Sequence, residues 1–314
     1  MSNKLFSSAS YADTKPHYHI LDGLRGVAAL MVVWYHVFEG FAFAEGSAID
    51  VFNHGYLAVD FFFMLSGFVI SYAYDDRWNK MSMGDFFKRR LVRLHPMIVM
   101  GAIIGTVTFL LGGCMKWDGS VTPMSGVALA FFLTCCFIPA WPGAMHEVRG
   151  NGEMFPLNGP AWSLFFEYIG NIMYALLIRR LSTKMLACLC IITGAWWAWF
   201  GITNVSGYDM LGVGWTLDTY NFFGGLLRML FPFTLGMLIC RKFRPIRVRG
   251  VFWWSILVLF GLFSVPYISS ENITFIQGIS WNSLFEFACV LFVFPLIIWG
   301  AASGETTDKA STNV

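Results

Sequence analysis

Residues 20–43 read ILDGLRGVAALMVVWYHVFEGFAF. The run is long enough to cross a bilayer as a helix, which takes about 20 apolar residues. It also carries groups that a plain anchor would exclude: Arg25 near its start, His36 well inside, and Glu39 one turn later. Hydrocarbon penalises ionisable side chains by several kcal/mol, so such groups in a span point to function. Arg25 and His36 are eleven residues apart. At 100° per residue they fall on one helix face, separated by about 16 Å along the axis. One face of this helix therefore joins a membrane surface, at Arg25, to the membrane interior, at His36.

The rest of the chain agrees with a membrane setting. Its 314 residues are 57% hydrophobic, 18% aromatic and only 13% charged, against about 25% charged in a soluble protein. The apolar/polar alternation of an outer-membrane barrel is absent. The fold class is all-α: a polytopic transmembrane helical bundle. A net charge of +2 says little about partners, and nothing points to nucleic acid. The seven cysteines lie mostly in apolar runs, without metal-ligand or disulfide spacing. No metal site is expected.

The positive-inside rule orients the spans. After the second, residues 55–74, comes a loop with Arg77, Lys80, Lys88, Arg89, Arg90 and Arg93. Later spans at 161–178 and 220–240 end in Arg179, Arg180, Lys184 and in Arg241, Lys242, Arg244, Arg247, Arg249. All these clusters fall on the cytoplasmic side if the short segment 124–138, closed by Pro139 and Pro142, enters and leaves on the outer side. Spans at 94–113, 185–203, 251–268 and 282–302 complete the set. The expectation is about eight spans plus one re-entrant or short span, with both termini cytoplasmic. Residues 1–19 form a polar N-terminal segment without the pattern of a cleaved signal. Residues 20–302 form the transmembrane domain, and 303–314 a polar, disordered tail. No internal repeat of the transporter type is visible.

Several groups could do chemistry. A neutral imidazole such as His36 suits general-base removal of a hydroxyl proton, although a buried His can equally hold a packing interface. Glu39 can fix its tautomer or serve as an interfacial carboxylate. Arg90 and Arg93 share a helix face before Pro96 and could fork onto phosphates; positive-inside residues also occur without a ligand. Asp60 is a carboxylate inside the second span. Ser66-Gly67 reads as a close-packing contact between helices. Glu167, after the turn Asn158-Gly159-Pro160, could orient a sugar hydroxyl or sit in a buried ion pair. Asn171 and Arg228 are weaker candidates.

Four stretches, LDGLRGVAALMVVWYHVF, AVDFFFMLSGFVISY, FFKRRLVRLHP and NGPAWSLFFEY, taken in this order and spacing, resemble the membrane acyltransferase-3 family of carbohydrate O-acyltransferases. Arg25 and His36 match its R-x(10)-H pattern, Arg90 and Arg93 its R-x-x-R, and Trp162, Ser163, Leu164 and Glu167 its W-S-L-x-x-E. The similarity is strong from about Leu21 to Tyr174 and rests on hydropathy beyond. It implies an enzyme of the bacterial inner membrane. An acyl group, acetyl by expectation, would pass from cytoplasmic acyl-CoA to a hydroxyl of an envelope or exported carbohydrate or glycolipid. By this resemblance His36 is the general base, Asp60 and Glu167 orient it or the acceptor, and Arg25, Arg90 and Arg93 hold the CoA phosphates. Direct transfer and an acyl-enzyme relay both remain open. The chain departs from the family where it stops, at GAASGETTDKASTNV, before an expected L-S-Y-x-x-Y-L-x-H segment. It is either a shortened member or lacks C-terminal spans. The competing readings are a transporter using His36, Asp60 and Glu167 as a proton or substrate pathway, and a structural remnant of the enzyme.

Overall fold

The structure, a computed structural model, describes residues 15, 17–42, 51–268 and 279–307. Most of the N-terminal segment, the end of the tail and much of the loop before the last span lie outside the described residues. Among the described residues ten α-helices follow one another: α1 His19–Ala42, α2 Ala58–Tyr74, α3 Met83–Leu111, α4 Met124–Cys135, α5 Ala161–Leu176, α6 Thr183–Ile202, α7 Thr219–Lys242, α8 Val251–Phe263, α9 Trp281–Ala288 and α10 Phe294–Thr307. A single turn of 3-10 helix, His54–Leu57, leads into α2, and a π-helical turn, Cys289–Val293, joins α9 to α10. Among the described residues there is no β-sheet, only isolated bridges. The bundle is all-α, as its hydropathy dictates.

Helix starts follow local chemistry. The hydroxyl of Ser82 accepts from the Asp85 amide while the Asp85 carboxylate accepts from the Ser82 amide, a capping box that opens α3. Ser182, Asp218 and Ser280 cap α6, α7 and α9. Each such cap is worth about 1 kcal/mol.

Among the described residues, seven helical stretches are long and apolar enough to cross a membrane, and α4 and α8 are shorter apolar helices. Helix α8 ends five residues before the expected 268. Its start follows the basic run that ends at Arg249. Its far end is tied to the residues before α2: the His54 amide donates to Val265 O, 3.0 Å, and the Tyr267 amide to Phe52 O, 2.8 Å. By contrast, the two flanks of α4 lie together. Residues after it return to those before it, with the Trp117 amide donating to Arg149 O at 2.9 Å and the Thr122 hydroxyl to Val148 O at 2.8 Å.

One end of the bundle gathers the basic clusters. Asp75, just past α2, accepts from Tyr174 of α5 and Arg241 of α7, 2.8 Å each, and Arg179 lies over the Trp78 ring. The Ile20 amide donates to Glu305 of α10 at 3.1 Å. The polar tail expected from Ser303 is therefore corrected in part. Ser303 and Gly304 are buried in α10, where a Cβ on Gly304 would meet Val251.

Two apolar cores share α2. One lies among α1, α2, α8 and α10, the other among α2, α3, α5 and α7. The backbones of α2 and α7 touch. A Cβ on Gly67 would lie 1.9 Å from Phe233 O, and one on Gly236 2.0 Å from Met64 O. Small residues permit this approach where lipid offers no hydrophobic drive between helices. On α3, Gly105 does the same for the loop before α5, since a Cβ there would overlap Leu157 O. That loop dips against the middle of α3, and the Asn158 amide donates to Ile98 O. Consequently α5 begins inside the bundle and sets Glu167 well down toward the basic end.

Candidate active site

The upper half of α1 carries His36. Its Nδ1 lies 2.8 Å from Glu39 Oε2, and the Tyr35 hydroxyl donates to Glu39 Oε1 at 2.6 Å. A carboxylate only accepts, so Nδ1 carries the proton and the lone pair of the neutral ring sits on Nε2. The His36 side chain is 49% exposed.

Sequence patterning missed one acidic residue of this region. Glu153, in the loop between α4 and α5, is within electrostatic reach of Glu39. Burial pushes its carboxyl above the ordinary glutamate range, Arg149 works against that, and the Glu39 charge adds to it. The loop is held by pairing with the one between α6 and α7. Glu153 bridges Thr216, and the Met154 amide donates to Trp215 O at 2.8 Å. Glu153 stands in a polar loop with no periodicity, and its relation to α1 is purely tertiary.

The lower half of α1 carries Arg25. It bonds Asp22 one turn back and lies within electrostatic reach of Arg93 and Glu167. Arg93 is exposed. Arg90 is not: it is 4% exposed, and its guanidinium donates to Glu167 Oε1 at 2.7 Å. The Ser66 hydroxyl donates to the same oxygen at 2.8 Å. The structure thus brings together Arg25, Arg90, Arg93 and Glu167 at one end of the site. His36 belongs to the other end, and its hydrogen-bond partner among the described residues is Glu39, not Glu167 or Asp60.

Asp60 is fully buried in an ion pair with Arg228 of α7. The Arg228 Nε lies 3.0 and 3.1 Å from the two carboxylate oxygens, and a terminal nitrogen lies 2.8 Å from one of them. The remaining donors of Arg228 reach Val213 O at 3.1 Å and Tyr56 O at 2.9 Å. Its guanidinium lies over the Trp162 ring, 5.1 Å from the centroid. Glu286, also fully buried, accepts from the Tyr56 hydroxyl at 2.5 Å and the Leu211 amide at 2.6 Å. Among the described residues no group of three or more His, Cys, Asp or Glu side chains is placed to hold a metal ion.

With this geometry in hand, the comparisons with known proteins are direct. The sequence profile of the acyltransferase-domain family, acyltransferase type 3, matches residues 18–307, and the chain belongs to that family of membrane acyltransferases. It is similar to protein 2 of the picA locus of Rhizobium radiobacter, 36% identical over 52% of this chain and 84% of that one. It is similar to the acyltransferase MdmB of Streptomyces mycarofaciens, at 29% over 58% of this chain and 43% of that one. It is also similar to the peptidoglycan O-acetyltransferase OatA of Listeria monocytogenes, at 27% over 79% of this chain and 40% of that one. The chain thus spans less than half the length of the latter two. No solved structure matches it.

Proposed function

We propose that this chain is an integral inner-membrane O-acyltransferase of a bacterium. It moves an acyl group, acetyl by preference, from cytoplasmic acyl-CoA to a hydroxyl of an envelope or exported carbohydrate. Both ends of the described chain lie at the basic end of the bundle, which supports placing that end in the cytoplasm by the positive-inside rule. The observation that carries the reading is the pairing of His36 with Glu39 on the helix whose other end bears Arg25.

The chemistry follows from that pairing. His36 Nε2 takes the proton of the acceptor hydroxyl as its oxygen attacks the thioester carbonyl carbon. Collapse of the tetrahedral intermediate breaks the carbon–sulfur bond, and the thiolate that leaves takes up the proton from the imidazolium. Glu39 stabilises the imidazolium in between. Arg25 and Arg93, the more accessible guanidiniums, meet the CoA phosphates. Arg90, paired with Glu167, adds positive charge beneath that site and holds the carboxylate there.

A transporter would need His36, Asp60 and Glu167 to line one path. Each is paired with a different partner, which supports the enzyme. The test uses membranes holding the full chain, with acetyl-CoA as donor. Exchange of His36→Ala for wild type should abolish carbohydrate acetylation while insertion persists; undiminished acetylation would remove His36 as the base.

A further inference from the structure

Glu39 is held from two sides. His36 Nδ1 donates to its Oε2 at 2.8 Å, and the Tyr35 hydroxyl donates to its Oε1 at 2.6 Å. Around α1, Glu39 stands one turn on, about 40° from Tyr35 and about 60° from His36, so one carboxylate reaches both. The two donors differ in setting. The His36 and Glu39 side chains are 49% and 31% exposed. An exposed pair at this spacing is held weakly, because two rotatable side chains must be ordered to form it. Tyr35 is buried. Its hydroxyl comes from a ring that is already fixed, so it orders the carboxylate with little further loss of freedom.

What fixes the ring lies outside α1. The Tyr35 ring meets Tyr56 edge to face, with centroids 5.3 Å apart and planes at 70°, and Phe52 at 6.0 Å and 79°. Both belong to the segment that enters α2. Gly55, beside Tyr56, lies directly on the helix: a Cβ there would stand 2.6 Å from Tyr35 Cβ and 2.8 Å from Met31 O. Glycine permits that close approach. The segment is tied in turn to later helices. The Tyr56 hydroxyl donates to Glu286 of α9 at 2.5 Å, and its carbonyl accepts from Arg228 of α7 at 2.9 Å. Phe52 stacks on Tyr267, which follows α8, at 4.8 Å and 25°. The later helices thus reach His36 through direct contacts, from Glu286 and Arg228 to Tyr56, then to Tyr35, then to Glu39.

We infer that Tyr35 is a positioning residue for acyl transfer. Its hydroxyl keeps Glu39 in the conformer that accepts from His36 Nδ1, and this leaves the lone pair on Nε2 for the acceptor proton. The inference rests on the acyltransferase reading given above, and the hold on the imidazole can be read without activity.

The experiment uses the full chain, labelled with 15N-histidine, in lipid nanodiscs. The His36 resonances are identified by their loss in His36→Gln. At alkaline pH, where the ring is neutral, wild type should show the Nδ1–H tautomer alone. Tyr35→Phe keeps the ring packing and removes only the hydroxyl; it should add the Nε2–H tautomer as a second set of resonances. Acetyl transfer from acetyl-CoA to an N-acetylglucosamine tetramer is measured in Tyr35→Phe, Glu39→Gln and the double variant. Each single change should lower kcat by about tenfold to a hundredfold, with the KM for acetyl-CoA within about twofold of wild type. The double variant should fall no further than the lower single, because the two residues act as one unit. Tyr267→Phe, which removes a hydroxyl bonded to Tyr208 O, is the control and should match wild type in both readouts. A single tautomer or an undiminished kcat in Tyr35→Phe, multiplicative losses in the double variant, or equal losses in Tyr267→Phe would overturn the inference. If wild type transfers no acetyl group while Tyr35→Phe still mixes the tautomers, the acyltransferase reading fails and the hold of Tyr35 on the imidazole stands.

Discussion

Glu167 accepts hydrogen bonds on one oxygen from two other helices, from Arg90 of α3 at 2.7 Å and from Ser66 of α2 at 2.8 Å. Arg90 and Arg93 are three residues apart in one motif, yet this pairing gives them different tasks. Arg90→Ala should leave a largely buried carboxylate without its counter-ion, and removing one partner of such a pair costs about 3–5 kcal/mol. Arg93→Ala, at an exposed position, should leave stability unchanged and raise the KM for acetyl-CoA about tenfold, the loss of one charge-assisted phosphate contact. Thermal unfolding in nanodiscs, set beside donor-dependence curves, separates the two. Equal effects on both measurements would contradict this division.

His36 depends on Glu39 for its tautomer. Glu39→Gln should keep the bundle intact and lower kcat by about tenfold to a hundredfold, the usual loss when a partner that orients a histidine is removed. His36→Ala should go to background. A Glu39→Gln enzyme with wild-type kcat would show that the orienting contact is dispensable.

Glu153 links pH to stability. Burial raises its carboxyl above the ordinary range in the folded chain. The unfolded chain therefore releases this proton first, and folding is favoured most at low pH. That contribution is lost as pH rises from the unfolded value through the folded one. Glu153→Gln should accordingly match wild type in acid and unfold at a higher temperature than wild type at neutral pH. A stability gain that appears in acid would reverse the sign and refute the assignment.

Backbone contact between α2 and α7 leaves no room at Gly67. Gly67→Ala should separate the helices and destabilise the bundle by about 1–3 kcal/mol, whereas on a free helix surface the same change is favourable by up to about 1 kcal/mol. Gly26→Ala, where a Cβ meets nothing, is the control. Folded yield in membranes reads the difference.

The loop containing α4 should lie on one side of the membrane. Asp118→Cys and Met145→Cys, both in that loop and the latter site 72% exposed, should react with an impermeant maleimide from the same side. Reaction from opposite sides would make α4 a crossing.

The sequence by itself determined the all-α class, the crossings, the gathering of basic residues at one end and the shared face of Arg25 and His36. Each of these follows from hydropathy, the charge of neighbouring loops or the 100° step of a single helix, all local in the chain. Tertiary structure alone decided what the charged groups meet. Asp60 is paired with Arg228 across 168 residues, and Glu167 with Arg90 across 77. The family resemblance has these carboxylates orienting His36 or the acceptor, and the sequence also allowed a buried ion pair for Glu167. The bundle instead draws Glu167 toward the basic end, because α5 starts below the loop seated on Gly105, and it locks Asp60 beneath residues 213–216. Glu153, with no motif of its own, is within electrostatic reach of Glu39. A buried charge must find a counter-ion somewhere, but which one it finds depends on the rotation and depth of every helix around it. Hydropathy records neither. The opening helix held the two ends of the site and a partner for each, Asp22 and Glu39; the fold decided which other charges stand around them.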